Sequence, residues 1–253
     1  MLIGILYILL LKMSLAAMPY DTKQRMQPLV ALRAIRTLLK DPDRTDQVFV
    51  IIRAMSGNAL QKCYAQFLKT PIGQAIISEK RQLLTVLQDR DALAGLPAGT
   101  LGRHYLEFTE KESITADGLV AASEDDEPIH DPGLRLYAER TRDMHDLWHV
   151  ITGYGRDTFG EVCLLAFTYA QTRNRGVGFI ALVGLAKYTK EIGSGVGSAM
   201  WQAYLAGRRA EWLPAQDWEH LLTRPIQDVR ESLKINPPEK YQKKFDELQL
   251  VRA

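Results

Sequence analysis

Apolar residues recur at helical spacing along most of the chain. In the stretch that opens at Pro28, leucine or isoleucine occupies positions 29, 32, 35, 38 and 39. Residues three and four apart lie on one face of a helix, so this stretch predicts a helix over about residues 28–39. Strictly alternating runs between Asn-Gly or Asp-Gly turns, the usual sign of hairpins, are scarce. The pattern therefore predicts an all-α fold.

Turn-forming residues divide the chain into further predicted helices. These cover about residues 45–55, 58–67, 70–88, 99–111, 134–152, 199–211 and 215–233, the last interrupted by Pro225. Another begins at Asp157 or Thr158, and a short charged one follows Pro238. Residues 115–132, which contain the acidic run 123–128, are predicted to form a surface loop. Because no repeat or long linker interrupts the pattern, residues 19–253 are predicted to be a single-domain helical bundle.

The first 18 residues are considered apart from this domain. Residues 2–11 are apolar, but Lys12 interrupts the run, which is shorter than the roughly 20 residues that span a bilayer. No basic region precedes it, as it would in a secretory signal. Met13 and Met18 offer alternative starts. Residues 1–18 are therefore expected to be a short membrane-touching leader or an overextended start.

Composition and charge narrow the function classes. Hydrophobic residues make up 46% of the 253 residues and charged residues 25%, which is ordinary for a globular protein. The formal net charge is +2 and no basic tail is visible, so there is no electrostatic basis for nucleic-acid binding. Cys63 and Cys163 form no CxxC pair, which favours a reduced intracellular compartment over a disulfide framework.

One cluster of residues carries recognisable chemistry. His145, Asp146 and His149 are followed, after eleven further residues, by Glu161. On a helix with about 100° per residue, Asp146 lies about 100° and His149 about 40° from His145, so all three point to one side. If the next helix packs back against this one, Glu161 reaches the same place. Two imidazoles and two carboxylates suit a divalent metal: zinc first, with iron(II) or manganese(II) as alternatives.

Other interpretations of this cluster stay open at the level of sequence. The two histidines could be polar core residues that pair with the two carboxylates. A protease of the HExxH class needs glutamate after the first histidine, where this chain has Asp146. Metal phosphohydrolases also carry a His-Asp doublet, but they need further ligands, and the second doublet, His130-Asp131, runs into a Pro-Gly turn.

Arg142 is the candidate catalytic residue. It lies three residues before His145, on the same side of the predicted helix. A guanidinium there could bind a substrate carboxylate through two hydrogen bonds. It could equally contact Asp146 and orient it.

The motif His145-Asp146-x-x-His149-x11-Glu161 resembles the signature of the coenzyme Q biosynthesis family Coq4. The surrounding residues also resemble that family, in the segments Arg140-Thr-Arg142, His149-Val-Ile-Thr-Gly153 and Gly160-Glu161-Val162. The resemblance is strongest over about residues 134–170 and continues more loosely towards the C-terminus. Residues 1–18 have no counterpart in it.

The resemblance implies a mostly α-helical protein of ubiquinone biosynthesis that binds zinc or a similar ion through His145, Asp146, His149 and Glu161. It implies a peripheral membrane protein, on the cytoplasmic face of the inner membrane in a bacterium or on the matrix side of the mitochondrial inner membrane in a eukaryote. The implied partners are a polyprenylated aromatic quinone precursor, the membrane surface and other ubiquinone biosynthesis enzymes. A homodimer is one open arrangement.

Two activities are compatible with this resemblance. The first is that of a lyase that removes the C1 carboxyl group of a polyprenylated 4-hydroxybenzoate-type ring, in an oxidative decarboxylation that leaves a hydroxyl group. The second is that of a non-catalytic, lipid-binding scaffold that organises the biosynthetic enzymes around a structural metal. The lyase is slightly favoured, because carboxylate ligands leave an ion less saturated than a cysteine-rich site does.

A polyprenyl tail requires an apolar surface, and residues 177–186 form the most apolar internal segment. Phe179, Ile180, Leu182 and Val183 are therefore the candidate prenyl-binding residues. The segment is too short to span a bilayer. It could also be an ordinary buried helix, or it could enter the bilayer interface beside basic residues.

Overall fold

The chain folds into short and medium helices joined by tight turns. The computed structural model describes residues 25–40, 46–114 and 129–252. Within these ranges every regular element is helical, and an isolated β-bridge joins Thr100 to Pro225. The fold is all-α, as the spacing of the apolar residues predicts. The leader at residues 1–18 and the acidic run at 123–128 lie outside the described residues.

The helices are numbered in chain order. Before residue 115 they are α1 (Pro28–Lys40), α2 (Asp46–Ser56), α3 (Ala59–Phe67), α4 (Pro71–Glu79), α5 (Leu83–Gln88), α6 (Arg90–Gly95) and α7 (Leu101–Lys111). From residue 129 onwards they are α8 (Pro132–Asp143), α9 (His145–Thr152), α10 (Thr158–Thr172), α11 (Arg175–Ile192), α12 (Val196–Arg209), α13 (Trp218–Leu221), α14 (Ile226–Ser232) and α15 (Glu239–Arg252). A short 3-10 turn, Leu213–Ala215, precedes α13.

The helix predicted over residues 70–88 is divided in the structure into α4 and α5. α4 ends at Lys80, which adopts a left-handed conformation (φ 53°, ψ 41°) and donates its N–H to carbonyls of the preceding turn. The prediction of one helix was wrong because glycine or asparagine usually marks such a cap, and lysine gives no comparable signal in the sequence.

The long helix predicted over residues 134–152 is likewise two helices, α8 and α9. Met144 forms a turn between them, with φ −76° and ψ −5°. Arg142 and His145 therefore belong to different helices. A single helical wheel cannot place both of them on one side, because the wheel assumes regular geometry across Met144.

α10 lies at the centre of the bundle and packs against α11 and α12. Nearly its whole length is buried. Its close approach to α12 depends on Gly207, where a Cβ would lie only 2.6 Å from the Phe167 carbonyl oxygen. A helix surrounded by protein has no solvent-facing side, so a charged residue on α10, such as Glu161, must face other protein groups or an ion.

A smaller cluster packs α8 against α3 and α4, and it contains the buried residues Cys63, Phe67, Ile76, Tyr137 and Ala215. α8 is also held to α13 by a buried ion pair. The Arg140 guanidinium donates two hydrogen bonds to the Glu219 carboxylate, at 2.6 and 2.9 Å. These contacts fix the end of α8 from which the chain enters α9.

The apolar segment predicted at residues 177–186 lies inside α11, a helix of 18 residues. Across the described ranges, no helix combines the length and the apolar character needed to cross a bilayer.

Candidate metal centre

α9 places three of the four predicted ligands in the protein interior. All eight of its residues, from His145 to Thr152, are buried. Polar side chains on such a helix cannot reach solvent and must meet other polar groups. Gly153 ends the helix in a left-handed conformation (φ 77°), as its position in the sequence predicts.

The fourth predicted ligand comes from the first turn of α10. Asp157 caps this helix, because its Oδ1 accepts hydrogen bonds from the N–H groups of Phe159 and Gly160, each at 3.0 Å. Glu161 follows immediately and is 0% exposed. The loop 153–157 therefore brings Glu161 back to the histidines of α9.

The structure groups three of the predicted ligands and brings the fourth, Glu161, to the two histidines. Ligand atoms of His145, Asp146 and His149 lie within 4.8 Å of one another. Glu161 Oε1 lies 3.4 Å from His149 Nε2, and Glu161 Oε2 lies 4.0 Å from His145 Nε2. Two ligands on one tetrahedral zinc ion, with bonds of about 2.1 Å, are separated by about 3.4 Å. The imidazole and carboxylate atoms are thus spaced so that they can share one ion.

The burial of Glu161 tests whether an ion fits here. Neither of its carboxylate oxygens is accessible to solvent or accepts a hydrogen bond, and His149 Nε2 is also buried without a hydrogen bond. A buried carboxylate without donors is costly, by several kcal/mol. A divalent cation between these atoms would compensate them. The residues present therefore fit a metal ion, and their mixture of nitrogen and oxygen suits zinc, iron(II) or manganese(II).

Both imidazoles are held with Nε2 directed towards Glu161. His149 Nδ1 lies 2.9 Å from the Tyr154 carbonyl oxygen, which can only accept, so Nδ1 carries the proton. His145 Nδ1 lies 3.2 Å from Asp146 Oδ1. A carbonyl or a carboxylate on the second ring nitrogen is the usual support of a metal-binding histidine. Asp146 therefore supports His145 with one oxygen and has a second oxygen to offer an ion.

Burial and neighbouring charges shift the pKa values of the two histidines in opposite directions. Burial lowers the pKa of His145, and the hydrogen bond that its Nδ1–H donates to Asp146 only partly opposes that shift. Burial also acts to lower the pKa of His149, but the Glu161 carboxylate outweighs it and raises that pKa overall. The pKa of Asp146 is lowered, because contact with His145 outweighs burial. His149 is therefore the imidazole that more readily holds a second proton when no ion is bound.

Other groups around the site were not singled out from the sequence. Phe108 of α7 stacks on the His149 ring, with centroids 5.8 Å apart. Burial, and then the charge of Asp146, raises the pKa of the Tyr105 phenol on the same helix. The charge of Arg156 adds to the effect of the histidines in lowering the pKa of Asp146. No sequence pattern links α7 to the motif, because only the packing of α7 on α9 brings them together.

Arg142 contacts its neighbour in the chain, a partner that was not considered from the sequence. Its Nε donates to Asp143 Oδ1 at 2.9 Å, and its Nη2 lies 2.9 Å from the same oxygen. Burial raises the pKa of Asp143 to about 6, although Arg142 opposes that rise. One edge of the guanidinium is therefore engaged by Asp143, and the two roles predicted for Arg142, contact with a substrate carboxylate or with Asp146, stay predictions.

The four candidate prenyl-binding residues do not form one surface. Ile180 is 4% exposed and belongs to the core, whereas Leu182 is 62% exposed. Phe179 and Val183 are half-buried. Phe179 lies three residues before Leu182 and shares its side of α11, whereas Val183 lies three residues after Ile180, between the exposed and the buried sides. Ile180 is turned into the core because consecutive helical residues point in different directions.

Comparison with protein families and with curated proteins gives one consistent result. A family model described as "Coenzyme Q (ubiquinone) biosynthesis protein Coq4" matches residues 16–239. The mitochondrial ubiquinone biosynthesis protein COQ4 of Coprinopsis cinerea is 26% identical over 215 residues, which cover 83% of this chain and 72% of that protein. The mouse COQ4 homolog is 28% identical over 214 residues, covering 84% and 79%.

The match to the Xenopus laevis COQ4 homolog is shorter. It is 33% identical over 134 residues, which cover 53% of this chain and 46% of that protein, so this match spans about half the length of the relative. Among solved structures, a crystal structure described as that of a ubiquinone biosynthesis protein from Nostoc punctiforme has a TM-score of 0.61 and 25% sequence identity. It covers 84% of this chain and 100% of its own.

Proposed function

The chain belongs to the Coq4 family of coenzyme Q (ubiquinone) biosynthesis proteins, and from this we propose that it removes the C1 carboxyl group of a polyprenylated 4-hydroxybenzoate-type precursor. The proposed activity is that of a metal-dependent lyase. In the oxidative form of the reaction, dioxygen and a two-electron reductant are co-substrates: one oxygen atom becomes the ring hydroxyl group that replaces the carboxyl group, and the other leaves as water. The proposed ligands are His145, Asp146, His149 and Glu161, with zinc as the preferred ion and iron(II) or manganese(II) as alternatives.

One observation carries this proposal: a fully buried carboxylate faces two imidazole nitrogens, 3.4 and 4.0 Å from its oxygens, and has no closer polar partner. Bound there, a divalent ion would supply the positive charge that stabilises negative charge on the ring as carbon dioxide leaves. Asp146 Oδ1 already contacts His145. The two histidines and Glu161 would then be the three main ligands, and Asp146 a weaker fourth. Catalytic metal sites usually have three protein ligands and keep one position open for water or substrate.

The residues around the ligands fit such a reaction. Phe108, stacked on His149, helps to exclude water from the ring side of the site. Arg142 fixes the Asp143 carboxylate next to the ligand helix. In this proposal Arg142 acts by holding Asp143 in place, since the edge of its guanidinium is engaged there.

A non-catalytic scaffold with a structural metal is the second candidate. The observation in its favour is that the side chains of all four ligands are at most 3% exposed. Four protein ligands also saturate a tetrahedral ion, as in structural zinc sites. In this reading the chain would present a lipid-tailed intermediate to the other ubiquinone biosynthesis enzymes.

Metal analysis combined with precursor profiling separates the two candidates. Purified chain, His149→Ala and Glu161→Gln are analysed for bound metal, and each is expressed in cells that lack their own copy. We expect both variants to lose the metal and the cells to accumulate a precursor that keeps its C1 carboxyl group. Normal ubiquinone levels in cells with only metal-free protein would overturn the site assignment. If cells without this protein still convert the precursor to products that lack the C1 carboxyl group, the chain is not the lyase. The non-catalytic scaffold would then be the remaining candidate.

We propose further that the chain is a peripheral membrane protein and docks on the bilayer through α1 and the adjoining ends of α11 and α12. The large apolar residues with high exposure on these elements are Met26 (42%), Leu29 (70%), Leu32 (42%) and Trp201 (59%). The sequences of α1 and α12 contain arginines and no acidic residue. Apolar side chains flanked by arginines match the interface of an anionic bilayer.

Side-chain contacts connect these exposed residues. Arg175, at the start of α11, places its Nη1 3.4 Å from Met26 Sδ. Two residues earlier, Arg173 donates to the Tyr204 hydroxyl at 3.4 Å, and the Tyr204 ring stacks on Trp201 at 5.3 Å. The apolar and basic groups therefore adjoin one another around the start of α11.

Vesicle sedimentation tests the membrane proposal. The chain, Leu29→Gln and Arg173→Gln are mixed with vesicles of phosphatidylcholine, with and without phosphatidylglycerol. We expect binding only to the anionic vesicles, weakened several-fold in both variants, while Arg90→Gln, which removes an exposed arginine elsewhere, binds like the parent. Unchanged binding by Leu29→Gln would contradict the proposal. Loss of a homodimer in that variant instead would assign the face to self-association.

A further inference from the structure

We propose that Tyr241, near the start of α15, is a positioning residue for the metal centre, because its phenol holds the loop 153–157 that orients His149 and begins α10. This inference rests on the metal site proposed above, but not on the reaction proposed for it. α15 runs from Glu239 to Arg252 and lies almost entirely beyond residues 16–239, which match the family. The family match therefore does not account for what this helix does.

The Tyr241 phenol makes two hydrogen bonds in opposite senses. It accepts one from the Gly155 N–H at 3.0 Å and donates one to Asp157 Oδ2. The approach is so close that a Cβ at position 155 would lie 2.7 Å from both Tyr241 Oη and Asp157 Oδ2. Burial, together with the charge of Asp157, raises the pKa of Tyr241, so the hydroxyl stays protonated and keeps its donor. One side chain therefore ties two points of the loop together.

The Tyr241 ring is packed as firmly as its hydroxyl is bonded. The residue is 3% exposed. Its ring centroid lies 5.4 Å from that of Tyr154 and 5.1 Å from that of Phe159, one on each side of the loop. Phe245, one turn later on α15, covers the ring from behind at 5.7 Å. A side chain held in this way can transmit a fixed geometry to the loop.

The two loop residues that bond to Tyr241, Gly155 and Asp157, each lie next to a group that orients a proposed metal ligand. Gly155 follows Tyr154, whose carbonyl accepts from His149 Nδ1 and so directs Nε2 towards Glu161. Asp157 is bonded to Tyr241 through Oδ2 and uses Oδ1 to cap α10. The hydroxyl of Tyr241 therefore acts on both sides of the site: on the orientation of an imidazole and on the start of the helix that carries Glu161.

The test is Tyr241→Phe, which removes the hydroxyl and keeps the ring contacts. Zinc affinity of the full chain is measured by competition with a chromophoric chelator, and the Tm is measured in EDTA. We expect zinc binding to weaken about tenfold, the lower end of the effect of groups behind metal ligands. The Tm of the metal-free chain should fall as well, because the Gly155 N–H and Asp157 lose a hydrogen-bond partner. Tyr64→Phe, which removes a phenol hydroxyl in the cluster around Tyr137, should bind zinc like the parent.

Two further measurements test the proposal, and the first of them, the zinc affinity of Gly155→Ala alone, does not require Tyr241→Phe to fold and should also be lower than that of the parent. Gly155→Ala places a Cβ against the hydroxyl, and its effect on zinc affinity should be less than additive with Tyr241→Phe, because the two changes disturb one contact. In the metal-free chain, two-bond ¹H–¹⁵N spectra should show that the Nδ1–H form of His149 gives way to a mixture of tautomers in Tyr241→Phe.

Zinc affinity and a His149 tautomer that both match the parent in Tyr241→Phe would overturn the proposal, as would a fully additive double variant. If the parent itself binds no zinc, the metal site fails. The tautomer measurement then still decides whether Tyr241 orients His149.

Discussion

Replacing Glu161 with glutamine should remove zinc binding without destabilising the metal-free protein. The carboxylate is 0% exposed, and neither of its oxygens accepts a hydrogen bond, so the metal-free chain gains little from its charge. The nearest counter-charge is His149, whose pKa it raises. Once the carboxylate is gone, His149 can release its proton, so no charge is stranded in the core. We therefore expect the free energy of unfolding in EDTA to change by no more than about 1 kcal/mol.

The zinc-loaded protein should behave differently. An ion present at about 1,000 times its Kd stabilises the folded state by about 4 kcal/mol. In a domain of this size about 1 kcal/mol moves the Tm by 2–4 °C, so zinc should raise the Tm of the parent by about 8–16 °C. Glu161→Gln lacks the anionic ligand and should lose most of this increment. Calorimetry of both chains in EDTA and in zinc gives the four Tm values needed.

Glu219→Gln is the matched control, since it also removes a buried carboxylate charge. Here the partner is Arg140, which is 1% exposed and cannot release its proton. Breaking such a pair costs about 3–5 kcal/mol, with the lower end expected because the Glu219 side chain is 17% exposed. Glu219→Gln should therefore lower the Tm equally with and without zinc. If Glu161→Gln destabilises the metal-free chain as much as Glu219→Gln does, the Glu161 carboxylate has a stabilising partner in the metal-free protein. If zinc raises the Tm of Glu161→Gln as much as that of the parent, Glu161 is not a ligand.

Three further predictions follow from the same contacts. Without metal, the free energy of unfolding should be highest near pH 6.5, the ordinary histidine pKa. Below that pH the unfolded chain protonates His145 more readily than the folded chain does, so stability falls. Above it the folded chain progressively loses the His149 proton that stabilises it, so stability falls again. Denaturant titrations in EDTA from acid to alkaline pH check this, and His149→Gln should flatten only the alkaline side. Arg230→Met should cost about 1–3 kcal/mol in a urea titration, because the guanidinium donates to two carbonyls at the end of α9; an unchanged midpoint would contradict that role. Gly207→Ala should lower the free energy of unfolding by about 1–3 kcal/mol, because the added Cβ forces α10 and α12 apart. Gly95→Ala is the control, since a Cβ there meets open space, and it should leave the free energy of unfolding unchanged. Equal urea midpoints for the two variants would show that the helices adjust around Gly207 at no cost.

Most of the helices, and the grouping of Asp146 with the two histidines of α9, could be predicted from local chemistry. The places where prediction failed are also local in origin: Lys80 takes a left-handed cap without the usual residue type, and Met144 divides a helix whose apolar pattern runs straight through it. The division at Met144 removed the basis for placing Arg142 beside the ligands. Asp143, which Arg142 contacts, is adjacent to it in sequence but gives no periodic signal.

By itself, the sequence determined that His145, Asp146 and His149 share one side of a helix, that Gly153 ends it and that Asp157 can start the next. Each of these depends on the helical repeat and on backbone hydrogen bonds within a few residues.

Only the tertiary structure decided how far Glu161 lies from the imidazoles, that Phe108 and Tyr105 of α7 border the site, and that Tyr241 ties the loop. It also decided that Leu182 is exposed while Ile180 is buried. Such distances and exposures depend on how helices far apart in the chain pack together. That packing is set by the fit of many side chains at once, which no local repeat encodes.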